Sequence, residues 1–304
     1  THVEGRPPTE GGAYSSGMAT GGGPADPMAS AEQKASGARA LAEHETDSAE
    51  RHERLAGRAT TEAGRDVHLR MARAHRSTAD CHLASARLHE DYASRLAGWA
   101  VGTSTPRPLF MTVVAAACGT TSAALTLVGA TFDQLSLAAS DEPARAAQEL
   151  EFLLGEGPAR DATREVRAVT ASGPVMSDRW PGYGPALTEL GIEEVSAVPL
   201  GMVGTCVGAL TVFDAAPRTT GTDTFASVAD VLTRTMILTP EGDPELFGGT
   251  DLRALVHQAA GMVAVQLDCP VADALELIKA RAFADGVSAH SVAGRIVRGE
   301  LRLE

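Results

Sequence analysis

The sequence predicts a multidomain protein of the α and α+β classes, with long N-terminal helices, a middle antiparallel sheet with flanking helices, and a C-terminal three-helix bundle. Residues 30–104 lack proline and are rich in Ala, Arg, Glu and His, a composition typical of long helices. Helix and strand patterns alternate over 105–237, and three apolar stripes at helical spacing follow over 251–304. We expect the Gly/Pro/Ser/Thr-rich residues 1–29 to form a flexible tail and residues 238–250 to form a linker.

The charge balance limits the classes of partner. The 304 residues include 26 basic and 39 acidic side chains, a net charge of −13, which argues against coating nucleic acid or membrane by bulk charge. Residues 105–250 carry −10 of this charge, so the middle domain is better suited to a sensor or scaffold than to a phosphate-binding surface. No apolar run reaches the ~18 residues of a membrane helix and no secretion signal is evident, so we expect a cytoplasmic protein without a membrane partner.

The N-terminal helical region carries two heptad-spaced patterns. One is an alanine row from Ala35 to Ala63, and the other is an apolar seam from Val67 to Trp99. Because the two are out of phase, the region is either one long helix with a stutter or a hairpin that turns near 60–64, and we favour the hairpin.

Histidines also recur every seven residues in this region, at His68, His75, His82 and His89. Successive members lie about 10.5 Å apart along a helix, too far to share a metal ion, so we expect a solvated row or one that flanks an interface.

The middle region predicts strands in hairpins separated by helices. The expected helices span 109–118, 143–154, 184–190 and 222–236, and the expected strands span 123–128, 134–138, 166–170, 194–200 and 206–213. The segment 155–158 resembles a phosphate-binding loop only superficially because it lacks the lysine, and we interpret it as a turn. Four cysteines without a Cys-x-x-Cys pair indicate reduced thiols, with neither a disulfide framework nor a zinc site.

The C-terminal region carries the basic residues that point most directly to a function. Arg295, Arg298 and Arg302 follow an i, i+3, i+7 pattern and are predicted to project together from the last helix, with Lys279 and Arg281 extending the surface from the preceding helix. The region holds six basic and seven acidic residues, so its charge is segregated rather than excessive. A basic stripe on a small helical bundle is compatible with nucleic-acid binding and also with an ordinary solvated face.

Two regions resemble known families. Residues 256–263, Asp273-Ala274-Leu275, Ala282-Phe283-Ala284 and Ser291-Val292-Ala293 resemble the ANTAR domain, an RNA-binding antitermination module. Residues 137–141, 150–158, Arg179-Trp180-Pro181 and 197–200 resemble the GAF sensor domain that precedes ANTAR in actinobacterial regulators. Ala260 and Ala264 stand where many ANTAR relatives have a basic residue and a methionine.

The resemblance implies a homodimeric regulator that holds a pair of stem-loops in a nascent mRNA and so prevents the terminator hairpin. It implies RNA contact by exposed polar and basic residues of the second and third helices, for which the candidates are Lys279, Arg281, Ser291, Arg295, Arg298 and Arg302. Gly261 and the alanines at 259, 274, 282 and 293 are expected to allow close helix packing. No cysteine or histidine is placed as a cofactor anchor in the GAF-like region, so we expect no cofactor, and a small-molecule ligand there stays unidentified.

Three other classes stay open. The C-terminal helices also fit a DNA-binding helix-turn-helix factor, or a sensory scaffold that has lost RNA binding. An enzyme is not expected, but a GAF-type methionine sulfoxide reductase would use Cys118 and Cys206, provided that the two lie within disulfide reach.

Overall fold

A computed structural model describes residues 26–102, 107–129, 134–202, 205–215, 222–237, 246 and 253–303. In this part of the chain a five-stranded antiparallel sheet lies among helices, which confirms the predicted mixture of α and α+β structure. The expected tail lies outside the described residues up to position 25, and the expected linker lies outside them apart from Leu246.

The N-terminal region is a helical hairpin, as favoured from the sequence. Helix α1 spans Pro27–Arg58 and helix α2 spans Glu62–Ala100. Helix α1 starts inside the segment expected to be tail, because the Asp26 side chain accepts from the Met28 N–H and Pro27 occupies the first turn. The turn at 59–61 overlaps the expected position near 60–64, and Thr61 caps α2 by accepting from the Gly64 N–H at 3.2 Å.

Small residues join the two helices of the hairpin. The alanine row of α1 faces a second heptad row on α2 that the sequence analysis did not identify. The buried members are Ala35, Ala42, Ala49 and Ala56 on α1 and Ala72, Ala79, Ala86 and Ala93 on α2. Side chains of this size let antiparallel helices approach closely. Ion pairs across the hairpin, Arg39 with Glu90 and Arg76 with Glu53, accompany this register.

His68 and His75 of the histidine row lie beside this alanine contact, as expected for a row that flanks an interface, whereas His89 is buried against Phe110. His52 of α1 lies between His68 and His75 of α2, with its ring 5.3 Å and 5.4 Å from theirs. Glu45 contacts His75 at 2.6 Å. Burial and the neighbouring imidazoles lower the pKa of His52. The apolar seam expected to pack is partly open, because Val67 and Met71 are about two-fifths exposed.

The middle domain is built on one sheet. Its strands are β1 Ser122–Val128, β2 Gln134–Ala139, β3 Val169–Ser172, β4 Glu194–Met202 and β5 Thr205–Phe213. They pair in the order β2-β1-β5-β4-β3, and every pairing is antiparallel.

Helices cover both faces of this sheet. They are α3 Phe110–Ala117, α4 Glu142–Leu154, α5 Pro158–Glu165, α6 Pro174–Arg179, α7 Tyr183–Glu189 and α8 Thr222–Leu232, with a π-helical turn over Thr233–Ile237. Alternating strand residues separate two cores: Leu125 and Leu210 face α2, α3 and α8, whereas Ala124 and Ala209 face the α4–α7 side.

The middle domain departs from the sequence prediction at three points. Helices α5 and α6 were not predicted, because each has fewer than nine residues and no long apolar period. The third strand begins at Val169 rather than Val166, whose φ of +49° ends α5 in the left-handed region. The last helix changes to a π-helical turn after Leu232.

The C-terminal unit, residues 253–303, contains the three predicted helices: α9 Ala254–Leu267, α10 Val271–Asp285 and α11 Ala289–Val297. Its core consists mainly of its own apolar residues, including the four expected alanines, each fully buried. Gly261 differs from expectation, because a Cβ at this position would meet nothing within 4 Å. Among the described residues, no helix has the length and apolarity needed to span a bilayer.

We predict that Ala49→Leu destabilises the hairpin by about 1–3 kcal/mol, because a leucine does not fit at this fully buried helix contact. The matched control is Ala40→Leu on the exposed side of the same helix. Thermal unfolding followed by circular dichroism measures both. Equal stability of the two variants would contradict the alanine contact.

Candidate nucleic-acid interface and its contact with the middle domain

Four of the six candidate residues are arginines on the outside of the C-terminal unit. Arg281 lies on α10, Arg295 on α11, and Arg298 and Arg302 follow at the end of the chain. Arg281, Arg298 and Arg302 are exposed and Arg295 is partly exposed. The fifth candidate, Ser291, is exposed in the first turn of α11, where its N–H donates to the N-cap Ser288 hydroxyl at 3.1 Å.

The last helix is shorter than the i, i+3, i+7 pattern requires. It ends at Val297 with Arg298 as its C-cap, and Gly299 then takes the left-handed conformation with φ +74°. Glycine is the residue that adopts this conformation at low cost, so the helix ends here and Arg302 lies beyond it. The three arginines therefore do not form one helical row, although all remain accessible.

Carboxylates neutralise much of this surface. Asp285 contacts both Arg281 at 2.9 Å and Arg295 at 3.5 Å, and Glu300 contacts Arg298 at 2.8 Å. The bond to Glu300 raises the pKa of Arg298 and lowers that of the glutamate. Arg302 makes no ion pair within the part of the chain that the structure describes. Exposed pairs of this kind contribute little to stability because water and salt screen them, so a phosphate group can replace the carboxylate at small cost.

Lys279 is not on the expected surface. It is 7% exposed, its ammonium contacts Glu276 at 2.8 Å, and the same ammonium lies 4.6 Å from the centre of the Phe152 ring. Phe152 belongs to α4 of the middle domain, so the docked arrangement covers this lysine. The expectation that Lys279 extends the surface is therefore wrong for this conformation.

The contact that covers Lys279 centres on Arg253, at the start of α9. Its side chain is fully buried, and its guanidinium lies 3.8 Å from the centre of the Phe152 ring. An Nη1 atom pairs with Glu149 of α4 at 2.8 Å, while Nε donates to Gln134 of β2 at 2.7 Å. Burial lowers the pKa of Arg253, and Glu149 opposes that shift. A buried cation is stable only with such partners.

Glu149 joins two helices of the C-terminal unit to α4. One carboxylate oxygen pairs with Arg253, and the other accepts from the Ala289 N–H at 2.7 Å. Ala289 is the first residue of α11, so the carboxylate meets the positive end of that helix. We call the contacts of Glu149 and Phe152 with Arg253, Lys279 and Ala289 the docking contact.

A chain of buried hydrogen bonds leads from the docking contact into the middle domain. Arg253 donates to Gln134, whose amide donates to the Thr126 hydroxyl at 3.3 Å. Thr126 donates to Gln148 at 2.5 Å, and Gln148 donates to Glu151 at 3.0 Å. In each of these four hydrogen bonds the donor lies on the Arg253 side and the acceptor on the Glu151 side. We call this set the buried polar chain.

Glu151 ends the buried polar chain inside the domain. Its other oxygen accepts from the Arg160 N–H at 2.7 Å. Desolvation raises its pKa to about 7, although the hydrogen bonds from Arg160 and Gln148 oppose the shift. Gly157 is required beside it, since a Cβ there would lie 2.6 Å from the Glu151 carboxyl carbon. A carboxyl with this pKa changes its charge near neutral pH.

Cavities lie on both sides of the sheet. A cavity of about 30 Å³ lies at the docking contact, with room for about two water molecules; its walls include Glu151, Phe152, Arg160 and Lys279. A larger cavity of about 270 Å³ has Cys118, Thr170, Ser196, Val212 and Phe225 among its lining residues. It is a candidate position for a small-molecule ligand of the middle domain, as is a cavity of about 590 Å³ whose lining includes Ser172, Met176, Ile192 and Asp214.

The redox-enzyme alternative requires Cys118 and Cys206 to meet. Both thiols are free. The Thr120 hydroxyl bonds to the Phe213 carbonyl, which places Cys118 near the end of β5, whereas Cys206 lies at its beginning. Seven strand residues span about 20 Å, well beyond disulfide reach. Burial also raises the pKa of Cys118 to about 12, so its reactive thiolate form is disfavoured.

The sequence analysis missed the residues of the docking contact and of the buried polar chain. A signal existed for two of them: Gln148 and Glu151 fall on the apolar stripe of α4 with Ala144, Ala147 and Phe152. Polar groups on a buried stripe indicate a buried network. Arg253 gave no comparable signal, because one arginine before a helix is usually solvated.

Comparison with protein-family models, with curated proteins and with solved structures finds no match for this chain. Within the described ranges, no group of three or more His, Cys, Asp or Glu side chains is arranged to hold a metal ion.

We predict that Glu149→Ala loosens the C-terminal unit, because it leaves the buried Arg253 cation without its carboxylate, a change that typically costs ~3–5 kcal/mol. Hydrogen exchange of the α9 and α11 amides in the full chain measures the effect. The control is Glu142→Ala, an exposed residue of the same helix. Unchanged exchange in the Glu149 variant would contradict the importance of the docking contact.

Proposed function

We propose that this chain is a signal-responsive RNA-binding regulator of transcription antitermination. In this proposal the middle domain is a GAF-like sensor, and the C-terminal unit is an ANTAR-like output that binds paired stem-loops in nascent mRNA. The observation that supports it is that the region resembling an RNA-binding module folds as a separate three-helix unit with its own core and four accessible arginines. The middle domain, which carries most of the negative charge, is then the regulator of binding rather than the binding surface.

The surface chemistry of the C-terminal unit suits the recognition of RNA loops better than bulk charge attraction. Arginine binds phosphate in a bidentate manner and stacks on bases, so a few placed arginines are sufficient. Phe283 on α10 is 61% exposed and provides an aromatic face on which an unpaired base could stack. The weak pairs with Asp285 and Glu300 keep the arginine side chains ordered without preventing exchange for phosphate.

Dimerisation would make this small surface effective. Two C-terminal units in one dimer contact two adjacent stem-loops, and the second contact is then intramolecular. The long hairpin of α1 and α2 has apolar side chains on its outer sides, including Leu41, Leu55 and Met71, each at least 39% exposed. We assign the homodimer contact to the N-terminal hairpin as part of this proposal.

We predict that replacing Arg295, Arg298 and Arg302 together with Ala weakens binding to a tandem stem-loop RNA and flattens its salt dependence. Each lost phosphate contact lowers the slope of log K against log salt by about 0.7–0.9. The matched control replaces Arg70, Arg73 and Arg87, three exposed arginines of α2. Binding is measured by fluorescence anisotropy at several salt concentrations, and circular dichroism checks that each variant is folded.

The nature of the ligand is tested in the same assay. Single stem-loops and duplex DNA are titrated beside the tandem stem-loop RNA. We expect the tandem RNA to bind most tightly and the single stem-loop to lose the avidity gain. Tighter binding to duplex DNA would overturn the proposal in favour of a DNA-binding factor, and no binding to any ligand would favour a sensory scaffold.

A further inference from the structure

Helix α4 belongs to the middle domain and also packs against the C-terminal unit. Different residues of the helix make the two sets of contacts. Gln148 and Glu151 point into the middle domain, where both are buried. Glu149 and Phe152 contact the C-terminal unit. A change around Glu151 is therefore one residue away from the docking contact along the same rigid helix.

Glu151 and residues of the docking contact also line the same small cavity. Its lining includes Glu151 together with Phe152 and Lys279, which belong to the docking contact. If the C-terminal unit leaves α4, Lys279 leaves the cavity wall and water reaches the Glu151 carboxyl. Hydration favours the charged form of a carboxyl, so the docked and undocked states bind the Glu151 proton with different affinity.

The groups around Glu151 do not provide a full ion pair for its charged form. Helix α5 contributes the Arg160 N–H and the like charge of Asp161, and α7 contributes Tyr183. The Tyr183 hydroxyl and the Arg160 Nε are buried and have no hydrogen-bond partner among the described residues. From α10, Lys279 directs its ammonium to Glu276. The buried polar chain connects Glu151 through four hydrogen bonds to the Arg253 cation.

We propose that the proton on the Glu151 carboxyl controls how firmly the C-terminal unit is held on α4, with the buried polar chain to Arg253 as the connection. The protonated carboxyl stays in the dry, docked state. Loss of the proton draws water into the cavity and favours release of the unit. For its consequence, control of RNA binding, this inference rests on the proposed function.

The direction of the pH dependence follows from the raised pKa. In the docked structure desolvation raises the Glu151 pKa to about 7, whereas the ordinary value for a hydrated glutamate is 4.5. The docked state therefore binds the proton more tightly, and docking is strongest below the ordinary pKa. Docking weakens as the pH rises from 4.5 to about 7, and it stays constant above about 7.

The experiment measures docking itself. Hydrogen exchange of the α9 and α11 amides is recorded in the full chain between about pH 5 and about pH 8, after correction for the intrinsic exchange rate. We expect the wild-type protein to lose docking as the pH rises, by about tenfold for each unit by which undocking lowers the Glu151 pKa. Glu151→Gln, which cannot ionise, should remain docked across the range.

The effect of Glu151 is separated from that of other ionisable side chains by comparing variants. His257 lies beside the docking contact, with its Nε2 atom 3.1 Å from the Gln134 carbonyl oxygen. It is present in both proteins, so only the difference between wild type and Glu151→Gln reports on Glu151. The charge control is Glu142→Gln, on the exposed side of α4, which should behave as the wild-type protein does.

A second variant keeps the inference testable if Glu151→Gln does not fold. Thr126→Val interrupts the buried polar chain without changing the carboxyl, and it should weaken docking and reduce its pH response. A full wild-type pH response in Thr126→Val would overturn the role of the chain. Equal pH profiles for wild type and Glu151→Gln would overturn the role of the proton.

RNA affinity is measured separately over the same pH range. If docking responds to pH as expected but the protein binds no stem-loop RNA at any pH, the proposed function fails while the control of docking stands. If RNA binds with an affinity that does not change with pH, docking does not control RNA binding. If RNA binds and docking ignores pH, the proposed function stands and the present inference fails.

Discussion

The position of the C-terminal unit depends on one constraint, the satisfaction of the buried Arg253 guanidinium. A cation with no solvent exposure needs partners on every side, and here they come from separate elements: Glu149 and Phe152 from α4 and Gln134 from β2. Because these partners belong to the middle domain, the Arg253 cation can be buried only in the docked arrangement, and water replaces its partners when the unit is undocked. The docked position is therefore determined by groups from both the middle domain and the C-terminal unit.

Helix α4 connects this constraint with the interior of the middle domain. Gln148 and Glu151 make hydrogen bonds inside the middle domain, whereas Glu149 and Phe152 contact the C-terminal unit. The Asp141 side chain caps the start of this helix, and Gly155 ends it with φ +69°. One continuous helix therefore carries both the hydrogen bonds inside the domain and the contacts with the C-terminal unit.

The sequence predicted the helices and strands whose apolar or small residues recur at a regular spacing. It did not predict the features that depend on contacts between distant parts of the chain. The hairpin, the five strands and the three C-terminal helices follow from alanine spacing, alternation and apolar stripes. The second alanine row on α2 was hidden because a more apolar seam, including Val67 and Met71, competed with it, and hydrophobicity alone does not reveal that a close helix contact prefers small residues. At the candidate interface, the residue types were predicted but Lys279 was misplaced, since no local pattern shows that Phe152, more than a hundred residues earlier, covers it.

The C-terminal unit has a core of its own besides its contact with α4. This core lies around Val256, Ile278 and Val292, so its residues would stay packed on one another if the unit left α4. The contact with α4 includes one ion pair, two cation–aromatic contacts, a helix cap and the apolar packing of Phe152 and Leu153 against the core of the unit. Polar groups of this kind also form hydrogen bonds to water, so the net free energy of docking is a small difference between large terms. An equilibrium of that kind shifts with a few kcal/mol of input, which is the range available from one ionising carboxyl or one bound small molecule.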